Sequence, residues 1–151
     1  MTTAQSTSIP AAEEAAQAGV VDLMEAMVAA YALMAHADGE ASGAERRRLF
    51  AILREHPAMT VVSREQIADE VAEHEANFRY DPELAQQIAR EKLATIASSP
   101  RGVRQVVAAC RELIPADGVA HPAEYRMLAR IKALLGLEAE AGPFRQPRAA
   151  A

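Results

Sequence analysis

The sequence contains few aromatic residues: it has no tryptophan, three phenylalanines and three tyrosines among 151 residues. Half of the residues are nevertheless hydrophobic, which is too high a fraction for an intrinsically disordered chain. Aromatic and β-branched residues favour strands, whereas alanine, which is abundant here, is the strongest helix former. No segment shows the alternating pattern of a strand. The composition therefore predicts a folded, all-α domain.

The sequence also lacks a second cysteine and a long apolar run. Cys110 alone excludes an intrachain disulfide and a zinc site built from cysteines, and it suits a reducing compartment. The longest apolar stretch, Ala26–Ala35, is about half as long as a bilayer span. The N-terminus shows no charged segment followed by an apolar one, so we expect no secretory signal. We expect a soluble protein that does not insert into a membrane itself.

The overall charge disfavours a nucleic-acid partner. The formal net charge is −5 and the pI is near 5.4, and an acidic surface repels phosphate backbones. A basic cluster, Arg46–Arg48, lies at a predicted helix start, where we expect the side chains to be solvated. The charge balance therefore predicts no nucleic-acid partner.

Helix-start and helix-stop signals divide the chain into about seven helices. Ser, Asp or His precedes most starts as an N-cap, and several N-caps are followed by proline at the first helical position. The predicted helices begin near Ala11, Ser42, Ser63, Asp81, Ser99 and His121, with a short seventh turn at Glu138–Ala141. We expect one domain over residues 11–141, flanked by disordered tails at 1–10 and 142–151.

Two segments of the chain form an internal repeat. Asp38–Gly39 and Asp117–Gly118 are 79 positions apart (117 minus 38), and at this offset residues 31–53 align with residues 110–132 without gaps. The identical pairs include the pattern D-G-x5-E-x-R-x-L-x2-I. A repeat of this length is typical of a duplicated supersecondary unit. It predicts two pseudo-symmetric helix-turn-helix halves, related by an approximate two-fold axis and joined by a central helix pair.

Each copy of the repeat places a glutamate seven residues after the aspartate of its Asp-Gly turn, at Glu45 and Glu124. This spacing matches the second half of an EF-hand loop. The first ligand position would then hold Met34 or Leu113, and neither side chain offers an oxygen to Ca²⁺. The sequence therefore excludes an ordinary EF-hand in both copies.

Four carboxylates nevertheless form a candidate cation site: Asp38, Glu45, Asp117 and Glu124. If the two-fold axis brings both turns together, their like charges repel unless a cation or a basic side chain neutralises them. We therefore expect these four residues to be candidate ligands of a divalent cation such as Ca²⁺. In the structural alternative, each aspartate only caps its loop and each glutamate only caps the following helix.

The remaining polar residues show no spacing that is typical of an active site. The four histidines, His36, His56, His74 and His121, match no zinc-binding pattern. Cys110 lies on an apolar helix stripe, which favours a core position over a nucleophile. Nucleotide-binding and hydrolase motifs are absent. We expect no enzyme, and a carboxylate-based, metal-dependent enzyme is the least favoured alternative.

The third predicted helix carries an acidic face. Its members are Asp69, Glu70, Glu73 and Glu75. We expect these side chains to point outward, as a solvated surface or as a dock for a basic partner.

At its paired Asp-Gly turns, the sequence resembles the TerB family of tellurite resistance proteins. The resemblance covers about Val20–Leu137. It rests on Ala37–Gly39 with Glu45, Ala116–Gly118 with Glu124, the Phe78–Asp81 junction, and Leu135–Leu137 at the end of the last helix. The chain departs from the family pattern at Pro115 and at His121–Pro122, where rigid residues flank the second turn.

The resemblance implies an all-α fold of about seven helices with internal pseudo-symmetry. It also implies a non-enzymatic role in resistance to tellurite and other stresses, in cytoplasmic complexes with a membrane-embedded protein partner at the inner membrane. A bound metal is part of this expectation, and the four carboxylates are then its ligands. A purely structural adaptor without metal is the alternative.

Overall fold

The computed structural model of the protein describes residues 11–37, 39, 41–114 and 121–137. All regular elements in these ranges are helical. They are α1 (Ala11–Ala35), α2 (Gly43–Glu55), a 3-10 helix (Pro57–Val61), α3 (Arg64–Tyr80), α4 (Pro82–Ala94), α5 (Pro100–Leu113) and α6 (Pro122–Leu134). The prediction of an all-α fold with about seven helices is confirmed. The predicted tails and the predicted turn at 138–141 lie outside the described residues.

Side-chain caps fix the helix starts where the sequence predicts them. The Ser63 hydroxyl accepts from the Gln66 amide, and the Gln66 side chain accepts from the Ser63 amide, so a complete capping box opens α3. Asp81 and Ser99 accept from backbone amides three residues later, at the starts of α4 and α5. Ser42 caps α2 in the same way, by accepting from the Glu45 amide.

The 3-10 helix was not predicted. α2 ends two residues before Pro57, because proline disfavours a helical conformation in the residue before it, and proline also suits the first position of a new helical turn. His56 Nδ1 accepts from the Ala58 amide at 3.2 Å and caps this turn. Pro57 therefore separates two helical elements.

Helix α1 is the central element of the core. Each residue of Ala26–Ala35 is 3% exposed or less, and α1 packs against each of the other helices. A helix that is surrounded on all sides needs apolar residues around its whole circumference. The apolar run Ala26–Ala35 therefore forms the centre of the core. No helix in the described part of the chain is long and apolar enough to cross a bilayer.

The two predicted hairpins have matching helices. Helices α2 and α6 each contain 13 residues, and both their starts and their ends are 79 positions apart (122 minus 43, and 134 minus 55). α1 and α5 pack against each other, and each of them also contacts α2 and α6. The central pair, α3 and α4, packs on α1. The exact two-fold relation stays a prediction.

Candidate functional site

The structure brings the two repeat glutamates to one cavity. Glu45 and Glu124 lie in the first turns of α2 and α6, and both line the same small cavity. Glu45 is 5% exposed and Glu124 is 3% exposed. The cavity volume is about 10 Å³, roughly the space of one water molecule. Two carboxylates from different hairpins therefore converge inside the domain.

The other described residues of the cavity wall are mostly apolar. They are Tyr31, Met34, Ala35 and Leu113, from α1 and α5. A carboxylate in such surroundings is costly unless hydrogen bonds, a cation or a dipole compensates it. The first turn of a helix carries the positive end of its dipole. Helices α2 and α6 thus both present a favourable helix end to this cavity.

Glu45 lies in the first turn of α2 and lines the cavity. A capping box would turn its carboxylate back to the amide of the N-cap residue, as Gln66 does at Ser63. The Ser42 hydroxyl accepts from the Glu45 amide, while the Glu45 side chain is buried at the cavity. The geometry therefore favours an inward role for this carboxylate.

The two aspartates of the candidate site, Asp38 and Asp117, lie outside the described residues. Within residues 11–37, 39, 41–114 and 121–137, no three His, Cys, Asp or Glu side chains converge in a way that could hold a metal ion. The described half of the candidate site is thus the pair Glu45 and Glu124. This pair supplies only oxygen ligands, which hard cations such as Ca²⁺ and Mg²⁺ prefer.

A polar network connects the cavity wall to α3. The Tyr31 hydroxyl donates to Glu75 Oε1 at 3.4 Å, and Arg46 Nε donates to the same oxygen at 2.9 Å. Burial raises the pKa of Tyr31, and the negative charges of Glu75 and Glu45 add to this effect. Tyr31 is therefore a neutral phenol that joins α1 to the ion pair between α2 and α3.

This network corrects the prediction for Glu75, which was expected on an outward acidic face. Its side chain is only 17% exposed and forms an ion pair with Arg46. Arg46 itself is solvated as predicted, with 45% of its side chain exposed. Sequence reasoning missed the pair because its members are 29 positions apart and belong to helices whose packing no local pattern reveals.

Glu70 is a second correction to the acidic face. It is 9% exposed, where an outward position was predicted. Lys92 of α4 forms an ion pair with Glu70, and His74 Nε2 lies 3.4 Å from Glu70 Oε1. Burial lowers the pKa of His74, and the positive charge of Lys92 lowers it further. The α3–α4 interface therefore holds a neutral histidine beside a buried ion pair.

The other histidines and the cysteine have local structural environments. His36 stacks on Phe78 with ring centroids 4.3 Å apart. His56 caps the 3-10 helix. Cys110 is fully buried, and burial raises the pKa of its thiol to about 12. The core position that was predicted for Cys110 is confirmed, and a thiol with this pKa is a poor nucleophile at neutral pH.

Comparison with known proteins supports the resemblance seen in the sequence. A family model described as "Tellurite resistance protein TerB" matches residues 24–144. The matched range contains both Asp-Gly turns, Glu45 and Glu124. No curated protein and no solved structure gives a significant match.

Proposed function

The chain belongs to the TerB family of tellurite resistance proteins, and we propose that it is a non-enzymatic helical domain that binds a divalent cation and a partner protein. The cation lies between the two hairpins, with Glu45 and Glu124 as ligands. Asp38 and Asp117 complete the ligand set. The domain acts in the cytoplasm, where a membrane-embedded partner holds it at the inner membrane during stress.

The observation that carries this proposal is the shared cavity of Glu45 and Glu124. Each glutamate comes from a different copy of the repeat, so corresponding residues of the two copies line one cavity. Two like charges inside an apolar core favour a cation between them. The cavity is about the size of one water molecule, which suits a single ion and leaves no room for an organic substrate.

Calorimetric titration with Ca²⁺ and with Mg²⁺ tests the cation. We expect the wild-type protein to bind one of them, and we expect Glu45→Gln and Glu124→Gln each to weaken binding at least about tenfold, because an amide removes one negative ligand charge. Glu112→Gln serves as the matched control. Glu112 is a half-exposed glutamate on α5 that pairs with Arg48 at 3.8 Å, so its replacement leaves cation binding unchanged.

The paired substitutions Asp38→Ala and Asp117→Ala test the other half of the ligand set. We expect them to abolish binding at sub-millimolar cation concentration. Binding that survives both changes would refute the four-carboxylate site. The absence of any cation binding by the wild-type protein would favour the structural adaptor, in which each glutamate only complements a helix dipole.

The partner protein and the location need a separate experiment. Affinity capture of the tagged full chain from membrane and soluble fractions, with Ca²⁺ and with a chelator, identifies what the protein binds. We expect capture of an inner-membrane protein that is stronger with Ca²⁺. Identical capture under both conditions would remove the cation from partner binding.

A further inference from the structure

A groove between α4 and α6 combines apolar side chains with two arginines. Leu33 of α1 forms its floor, Met127 and Leu134 of α6 form one wall, and Arg90 and Arg130 lie at its edges. The groove has a volume of about 420 Å³. Leu33 is buried, whereas Leu134 is 43% exposed. The groove is thus an open, mostly apolar surface that lies on the core.

The charge of the groove is opposite to that of the protein. The chain carries a net charge of −5, but none of the described residues that line the groove is acidic. Among the described residues, no carboxylate forms an ion pair with Arg90 or Arg130. Arg90 Nε donates to the carbonyl of Gln86 at 3.3 Å, which leaves its other guanidinium hydrogens available. The groove therefore complements a negatively charged, apolar ligand.

We infer that this groove docks an acidic amphipathic helix of the partner protein. This inference rests on the proposed function, and it names the surface and the chemistry of the contact. A groove between two helices accepts a third helix, whose apolar face would carry side chains at helical spacing. Asp or Glu residues that flank this face would pair with Arg90 and Arg130, and guanidinium–carboxylate pairs are strong and directional.

A photoreactive amino acid in place of Leu134, in the tagged full chain, tests the site of contact. Tyr125 is the matched control position, because it is a 52% exposed apolar residue on the same helix that does not line the groove. We expect Leu134 to crosslink to a partner segment with apolar residues at helical spacing and flanking Asp or Glu. We expect no such crosslink at Tyr125.

Charge reversal tests the chemistry. The double variant Arg90→Glu/Arg130→Glu changes the groove, and Arg104→Glu/Arg126→Glu makes the same change in net charge on exposed residues outside it. We expect the crosslinked segment, made as a labelled peptide, to bind the groove variant at least about tenfold more weakly than wild type in fluorescence anisotropy. The control variant should stay within about twofold of wild type, and added salt should weaken wild-type binding.

Several results would contradict the proposal that the groove docks an acidic helix. These are a basic or uncharged crosslinked segment, a crosslink to a second copy of the chain, a crosslink to residues 138–151 of the same chain, and equal peptide binding by both double variants. If a partner is captured but crosslinks away from Leu134, the groove proposal fails and partner binding stands. If the full chain captures no partner at all, the groove proposal and the partner-binding part of the proposed function both fail, and the titrations alone decide cation binding.

Discussion

Among the described residues, four acidic or histidine side chains are buried, and they form two groups of different character. Glu70 and His74 belong to the α3–α4 interface, where Lys92 supplies the opposite charge. Glu45 and Glu124 lie together at one cavity between two hairpins. The first group is neutralised by its own neighbours, which is typical of a structural ion pair. The second group places two carboxylates from different helices at one cavity, which makes it the candidate binding site.

His74 makes the free energy of unfolding depend on pH. Burial and Lys92 hold its pKa in the folded protein below the ordinary 6.5, while Glu70 and Glu73 act in the opposite direction. The unfolded chain therefore binds a proton more readily than the folded one. The contribution of neutral His74 to stability is complete above its ordinary pKa and is lost as the pH falls toward its lowered pKa.

We expect the free energy of unfolding in urea to fall from about pH 7.5 to about pH 5.5, with His74 contributing at most about 1.4 kcal/mol per pH unit. His74→Gln removes this part of the decline. Val71→Ala is the control, because Val71 is a buried, non-titrating residue of the same helix. Val71→Ala should lower the free energy of unfolding by the same amount at both pH values. An unchanged pH slope in His74→Gln would show that His74 does not titrate on unfolding.

At the scale of single elements, the helix starts could be predicted and their side-chain partners could not. Ser63, Asp81 and Ser99 cap the helices that their sequence context predicts, because a cap depends on residues only three positions apart. Glu70 lies three residues after Ile67 and four before His74, at the edge of the buried face of α3, but the sequence does not show that Lys92 of another helix pairs with it. The groove between α4 and α6 was missed for the same reason.

The start of α5 is the most tightly packed of the helix starts that contain glycine. A Cβ added at Gly102 would lie 2.6 Å from Cγ1 of buried Ile96 and 3.1 Å from the Ser99 hydroxyl that caps the helix. We expect Gly102→Ala to lower the free energy of unfolding by about 1–3 kcal/mol, because Ile96 must shift in a packed core. Chemical denaturation measures this loss.

Gly43 provides the matched control at the start of α2. A Cβ there would meet only the end of the flexible Arg47 side chain, at 3.3 Å. We expect Gly43→Ala to raise stability by less than about 1 kcal/mol, since alanine has the better helix propensity and restricts the unfolded chain. Equal effects of the two substitutions would show that the close packing of Gly102 against Ile96 carries no cost.

At the scale of the whole molecule, the two aligned sequence segments predict which helices correspond. Helices α2 and α6 begin and end 79 positions apart, and Leu49 and Leu128 are buried at corresponding positions. Identical residues at corresponding positions of two segments indicate that these positions have similar surroundings, whatever the packing angle between the segments. That Glu45 and Glu124 share one cavity depends on the packing of α1 against α5, which was predicted only through an assumed two-fold axis.

A cation at this cavity would connect the two hairpins, so its effect should extend to the whole domain. A ligand that binds only the folded state stabilises it by about 2.7 kcal/mol at a concentration of about 100 times its Kd. We expect Ca²⁺ or Mg²⁺, whichever binds, to raise the Tm of the wild-type protein and to slow amide hydrogen exchange in α2 and α6 together. Glu124→Gln should reduce both effects, including the protection of α2, although Glu124 itself belongs to α6. Protection that is confined to the hairpin carrying the intact glutamate would indicate two separate sites, and the single shared cation would then be excluded.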